Sequence, residues 1–133
     1  MSKAVAILLD TGPVLRQLRS HQPTIRLMRE LGRREKLAIS TVTRVEVRAR
    51  MQEHERYNTQ KLFSRFVIYP VDSDIADLAG ELIARSRTRG VLSLPDAVIA
   101  ATALLKGLTL VTYNVTHFAP IHGLRLYSLP QEE

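Results

Sequence analysis

The sequence predicts an α/β fold: a parallel central sheet of about five strands flanked by helices, in one domain covering residues 1–133. Three observations carry this. Val5-Ala6-Ile7-Leu8-Leu9 is an apolar run without alternation, the pattern of a strand buried on both faces. Further short apolar runs alternate with helical stretches, the order of a sheet built with crossover helices. The chain is long enough to bury a core, and no repeat or linker interrupts it.

The elements follow in order. After the first strand comes Asp10-Thr11-Gly12-Pro13, a turn into a short helix over 13–19, with Pro13 in its first turn. His21-Gln22-Pro23-Thr24 is a break. Ile25, Leu27, Met28 and Leu31 mark a second helix that Gly32 can end, and 33–36 is a charged turn. Leu37-Ala38-Ile39-Ser40 is the second strand. Thr41 or Thr43 can cap a long helix over 42–63. Its inward stripe is Val42, Val45 and Ala49, with Glu46 between them. A carboxylate on an inward face needs a cation, a donor or a metal; Arg44, Arg48 and Arg50 are the structural alternative.

Phe66-Val67-Ile68-Tyr69 is the third strand, stopped by Pro70. Asp72 or Ser73 caps a helix with the stripe Ile75, Leu78, Ala79, Leu82 and Ile83. Asp74 and Asp77 lie early and Arg85, Arg87 and Arg89 late, matching the helix dipole, and Gly90 ends it. Ser93-Leu94-Pro95-Asp96 opens an apolar helix over 97–106, where Asp96 is either a cap or a site residue. Residues 108–111 form the fourth strand, followed by Thr112-Tyr113-Asn114, and residues 125–127 the fifth.

The chain has no Cys, which excludes disulfides, thiolate zinc sites and a cysteine nucleophile. The N-terminal apolar run is too short for a secretory signal, and no stretch is long enough to span a bilayer, so a cytoplasmic protein without a membrane partner is expected. Lys+Arg number 19 against 13 Asp+Glu, a net charge of +6, which favours a polyanionic partner such as nucleic acid.

Asp10, Glu46 and Asp96 are positioned rather than scattered. Each is expected near the C-terminal side of the sheet, where open parallel sheets bind ligands, and Asn114 joins them. An all-oxygen cluster suits a hard cation, Mg²⁺ or Mn²⁺. His21, His54, His117 and His122 show no ligand pairing, which disfavours zinc. A carboxylate-held cation serves phosphoryl chemistry, and a basic protein around it suits a nucleic-acid backbone.

Leu8-Leu9-Asp10-Thr11, Glu46 with the run before it, Leu94-Pro95-Asp96-Ala97-Val98-Ile99-Ala100-Ala101, and Thr112-Tyr113-Asn114-Val115-Thr116-His117-Phe118 resemble the four motifs of the PIN-domain family. Their order and spacing are most similar to VapC-type toxins of toxin–antitoxin pairs. The resemblance implies a Mg²⁺-dependent endoribonuclease acting on RNA, a cognate antitoxin that holds it inactive, and a homodimer. It implies metal binding by Asp10 and Asp96, with Glu46 as a further acidic residue. In the last motif the family commonly carries Asp at the position of Asn114 or His117; neither is acidic here. Thr11 and Thr112 are candidate hydrogen-bonding partners for ligands or phosphate.

Two phosphoryl-transfer folds also start with a strand ending in Asp. A haloacid-dehalogenase-like phosphatase needs a second Asp where Gly12 stands. A receiver domain needs a phosphoacceptor Asp where the third strand ends in Tyr69-Pro70. The remaining alternative is a non-catalytic domain of the same fold that binds RNA or protein.

Overall fold

Strands β1 (Val5–Leu9), β2 (Lys36–Ser40), β3 (Val67–Tyr69), β4 (Thr109–Thr112) and β5 (Leu126–Ser128) form one sheet, all pairs parallel, in the order β3-β2-β1-β4-β5. The coordinates are a computed structural model and describe residues 3–87, 90 and 92–130. The chain steps outward from β1 to β3, then crosses back to lay β4 and β5 on the other side. The switch point lies between β1 and β4, where Leu9 pairs with Val111. Connections leave β1 and β4 in opposite directions there, so the C-terminal ends of the two strands open onto a crevice.

Seven helices stand among the described residues: α1 (Thr11–Leu18), α2 (Gln22–Arg34), α3 (Thr41–Arg50), α4 (Arg56–Phe63), α5 (Ser73–Arg85), α6 (Leu94–Lys106) and α7 (Val115–Phe118). The unbroken apolar run of β1 follows from its central place. Leu8 faces α5 and α6, in a core with Ala38, Ile75, Ala79, Ile99 and Leu110. Ile7 and Leu9 face α1, α2 and α4, with Val14, Met28, Ile39 and Phe63. Adjacent residues point to opposite faces of a strand, so only a strand covered on both sides needs no polar alternation. Each such side chain contributes about 1.5–3 kcal/mol when buried. In α6, Ala97, Ala100, Ala101 and Ala103 are all buried, and their small size lets the helix lie close to the sheet. Gly107 ends α6 at φ 67°, a left-handed position that glycine occupies without strain.

Several boundaries differ from the sequence reading. The helix expected over 42–63 is two helices. Met51 is extended (ψ 147°), and the Glu55 carboxylate takes the Gln52 N–H at 2.8 Å, a capping box that starts a single 3₁₀ turn at Glu53–Glu55 and then α4. The inward stripe of α3 is Thr43 and Val47; Val45 is 66% exposed and Ala49 is exposed. Ser40, rather than Thr41 or Thr43, caps α3. Gly32 lies inside α2, which runs to Arg34, because glycine weakens a helix without ending one that is packed. Asp72 caps α5 as expected, but α5 stops at Arg85 rather than at Gly90. Arg89 lies outside the described residues. Strands β4 and β5 end one residue later than expected, and α7 was not anticipated because it is one turn long.

Candidate active site

Asp10 is the first residue beyond β1, and its N–H still pairs with the Val111 carbonyl across the switch point (3.0 Å). Its extended backbone starts α1, and Oδ1 accepts the Thr11 N–H at 2.9 Å. Asp10 is therefore the cap of α1 as well as the carboxylate at the crevice. Its other oxygen, Oδ2, accepts the Thr112 hydroxyl at 2.8 Å. That hydroxyl in turn accepts the Asn114 N–H at 2.9 Å. Asp10 is 5% exposed. Burial pushes its carboxyl from 3.8 up to about 6; the Thr112 and Thr11 hydrogen bonds oppose this, and the charges of Asp96 and Glu46 add to it. A carboxylate kept this dry beside two others is an expensive arrangement for a mere helix cap.

Glu46 reaches the crevice from α3, whose start is held by the Ser40 hydroxyl taking the Val42 N–H at 3.0 Å. The Thr11 hydroxyl donates to Glu46 Oε1 at 2.5 Å, and Thr43 Oγ1 lies 3.2 Å from the same hydroxyl. Glu46 thus has a hydroxyl donor on α1 as a partner. Arg44, one of the expected partners, instead sits over the Phe63 ring, 4.9 Å from its centroid.

Asp96 is the third residue of α6. Ser93 is the cap, its hydroxyl taking the Asp96 N–H at 3.3 Å, so the capping alternative for Asp96 falls away. The carboxylate stands at the positive end of the helix dipole. Its Oδ2 lies 3.3 Å from Nδ1 of His117 on α7.

Of the three predicted carboxylates, Asp96 and Glu46 lie close enough to Asp10 to act on it through their charges. Asn114 enters through its backbone, while its exposed side chain caps nothing. Two contributors were missed. Thr43 read as a generic cap, and nothing local distinguishes a hydroxyl that supports another hydroxyl. His117 carried a signal, since it occupies a position where the resembling family often places an acid. Tyr113 stiffens the turn after β4: its hydroxyl lies 2.6 Å from Thr24 Oγ1, and the Arg16 guanidinium stacks 3.4 Å from its ring centroid.

Among the described residues, no three His, Asp or Glu side chains already stand together as a metal cluster. The donor set nevertheless fits a hard cation. It is built of carboxylate oxygens, and each Asp10 oxygen accepts one hydrogen bond and keeps a lone pair. Among the described residues, no cationic side chain offsets the buried charge on Asp10.

A PIN-domain family model matches residues 7–119, which includes all of these positions. "Ribonuclease VapC19" of Mycobacterium tuberculosis is 36% identical over 114 residues, covering 84% of this chain and 90% of its own. "Ribonuclease VapC10" of the same organism is 37% identical over 90 residues, covering 67% and 68%. Among solved structures, the chain is similar to a toxin–antitoxin complex from Klebsiella pneumoniae, with TM-score 0.78 and 29% identity, covering 93% of this chain and 100% of that one. It shares its fold with VapBC2 of Rickettsia felis bound to a promoter DNA fragment, with TM-score 0.83 and 22% identity, covering 95% and 100%.

Proposed function

This chain belongs to the PIN-domain family, and from that we propose that it is a divalent-metal-dependent endoribonuclease, the toxin of a toxin–antitoxin pair. The observation that carries the reading is Asp10: buried at the switch point, raised to about 6, and faced by Glu46 and Asp96. Relatives named as VapC ribonucleases and structural neighbours that are toxin–antitoxin complexes support it. The net charge of +6 suits an RNA backbone.

Asp10 and Asp96 would hold the cation, Mg²⁺ or Mn²⁺, with Glu46 as a further ligand. When bound, the cation supplies a water of lowered pKa and offsets charge developing on the phosphate. The chain's own residues do the rest. Thr112 fixes one Asp10 oxygen and the Thr11 N–H the other, so the carboxylate cannot rotate. Thr11 fixes Glu46. Ser93 orders the first turn of α6 and with it Asp96. Asn114 belongs to the site through the backbone link to Thr112.

The partners in this reading are the RNA substrate, an antitoxin seated over the crevice, and a second copy of the chain. No helix of the described residues is long and apolar enough to cross a membrane. The test is incubation of purified chain with an RNA pool, with Mg²⁺ and with EDTA, followed by sequencing of new 5′ ends. The expected result is Mg²⁺-dependent cleavage leaving 5′-phosphates, lost in Asp10→Asn and Asp96→Asn. Equal cleavage in excess EDTA would overturn metal dependence. RNA binding without any cleavage would favour the non-catalytic alternative.

A further inference from the structure

One groove lies beside Asp96, at the edge of the carboxylate site. Asp96 and His117, whose side chains lie 3.3 Å apart, line it. The groove has a volume of about 710 Å³ and runs between α5, the start of α6 and the segment after α7. Leu78, Leu82, Leu104 and Ile121 form its apolar walls. Arg85 and His122 stand at its polar edge, and Arg85 is 71% exposed and loosely paired with Glu81 at 3.5 Å. It lies on the α5–α6 side of the sheet, opposite the face covered by α1, α2 and α4.

We propose that this groove is a nucleotide subsite that takes one unstacked base of single-stranded RNA next to the bond held at Asp96. This rests on the nuclease reading above and adds where the base beside the cleaved bond sits. Three features select that occupant. The groove reaches Asp96, so a strand lying across Asp96 can run into it. Its size lies within the range of about 300–1,000 Å³ typical of small-molecule pockets, which admits a splayed nucleotide but not a stacked duplex. Apolar walls under a cationic edge match a base attached to a phosphate: the heterocycle lies on the leucine and isoleucine side chains while Arg85 meets the backbone. Base edges within a duplex are out of reach, so sequence-selective RNA recognition relies on such splayed bases.

The test uses full-length chain in EDTA, which separates binding from cleavage. The probes are fluorescein-labelled single-stranded RNA octamers, read by anisotropy, with an abasic site moved through each position. Wild type should lose about tenfold in affinity when the abasic site reaches one particular position. Ile121→Trp, which fills the groove, should bind the intact octamer about tenfold more weakly and show no further loss at that position. Arg85→Ala, on the surface, should weaken all octamers alike and lower the slope of log affinity against log salt by about 0.7. Melting curves establish that both variants are folded. The proposal is overturned if Ile121→Trp and wild type bind alike, or if the abasic loss persists in full in the filled variant. A groove that docks protein instead would leave every RNA measurement unchanged. Base-dependent binding by a chain that cuts nothing in Mg²⁺ would support the groove while sinking the nuclease reading.

Discussion

At the scale of single residues, Asp10 decides most of what can be measured. A carboxyl whose folded value is raised from 3.8 to about 6 binds its proton more tightly folded than unfolded. Its contribution is therefore most favourable below about pH 4 and declines as pH rises toward about 6, then levels off. Metal-free stability from this group should follow that course. Asp10→Asn removes the buried charge but weakens the contact with Thr112. The net expected gain in metal-free stability at neutral pH is about 1–2 kcal/mol, with cleavage reduced by orders of magnitude. Melting temperatures of both proteins, each with EDTA and with Mg²⁺, check this. Wild type should gain stability from Mg²⁺, because the folded state binds it preferentially, and the mutant should gain little. A mutant that melts lower in EDTA and keeps the full Mg²⁺ shift would mean that Asp10 serves α1 alone. Thr112→Val is the companion change: it keeps the shape of the side chain and removes the donor to Asp10. The Asp10 carboxyl should then titrate higher still, and the lower limb of the pH–rate profile should move up with it.

At the scale of elements, the site depends on how helices begin. Asp10, Ser40 and Ser93 cap α1, α3 and α6, and the starts of these three helices carry Thr11, Thr43, which touches the Thr11 hydroxyl, and Asp96. Ser93→Ala should cost about 1 kcal/mol by removing the cap. It should also lower kcat, since the first turn of α6 would fray beside Asp96. A full-activity Ser93→Ala with the expected drop in melting temperature would limit the cap to stability. The strands hold the other side of this arrangement. Leu8→Ala empties a fully buried position in the middle strand and should cost about 2–5 kcal/mol, measured by urea unfolding. The sequence located element starts where local chemistry marks them, as at Pro13 and Asp72, but the helix ends it read at Gly32 and Gly90 lie elsewhere. It failed at Met51, where no glycine or proline marks the break and only the Gln52–Glu55 capping box restarts the helix.

At the scale of the molecule, charge governs encounter. With a net charge of +6, association with RNA or with a proposed antitoxin of opposite charge should be steered by long-range attraction. Raising salt from about 50 to 200 mM should slow antitoxin association while changing its dissociation rate much less, which stopped-flow measurements would resolve. An association rate indifferent to salt would place the recognition in apolar contacts. The topology sets where that encounter occurs. The switch point lies between β1 and β4, and the proposed nucleotide groove, lined by Asp96, runs beside α5 and α6.

Strand burial and the order of the larger helices were legible in the sequence because each rests on neighbours within a few positions: an apolar run, a turn, a helix start. The same local signals singled out Asp10, Glu46 and Asp96 as candidates. The partners of those carboxylates were not legible. Thr11 and Glu46 are 35 positions apart and Thr112 and Asp10 are 102 apart, and no local pattern encodes such pairs. The inward side of α3 was misread for the same reason, since Thr43 is buried by its place next to Thr11 rather than by hydrophobicity. The shift of Asp10 to about 6 belongs wholly to the tertiary structure. Composition supplies a carboxylate of ordinary strength, and only folding two strands and three helices around it removes the water that would keep it so.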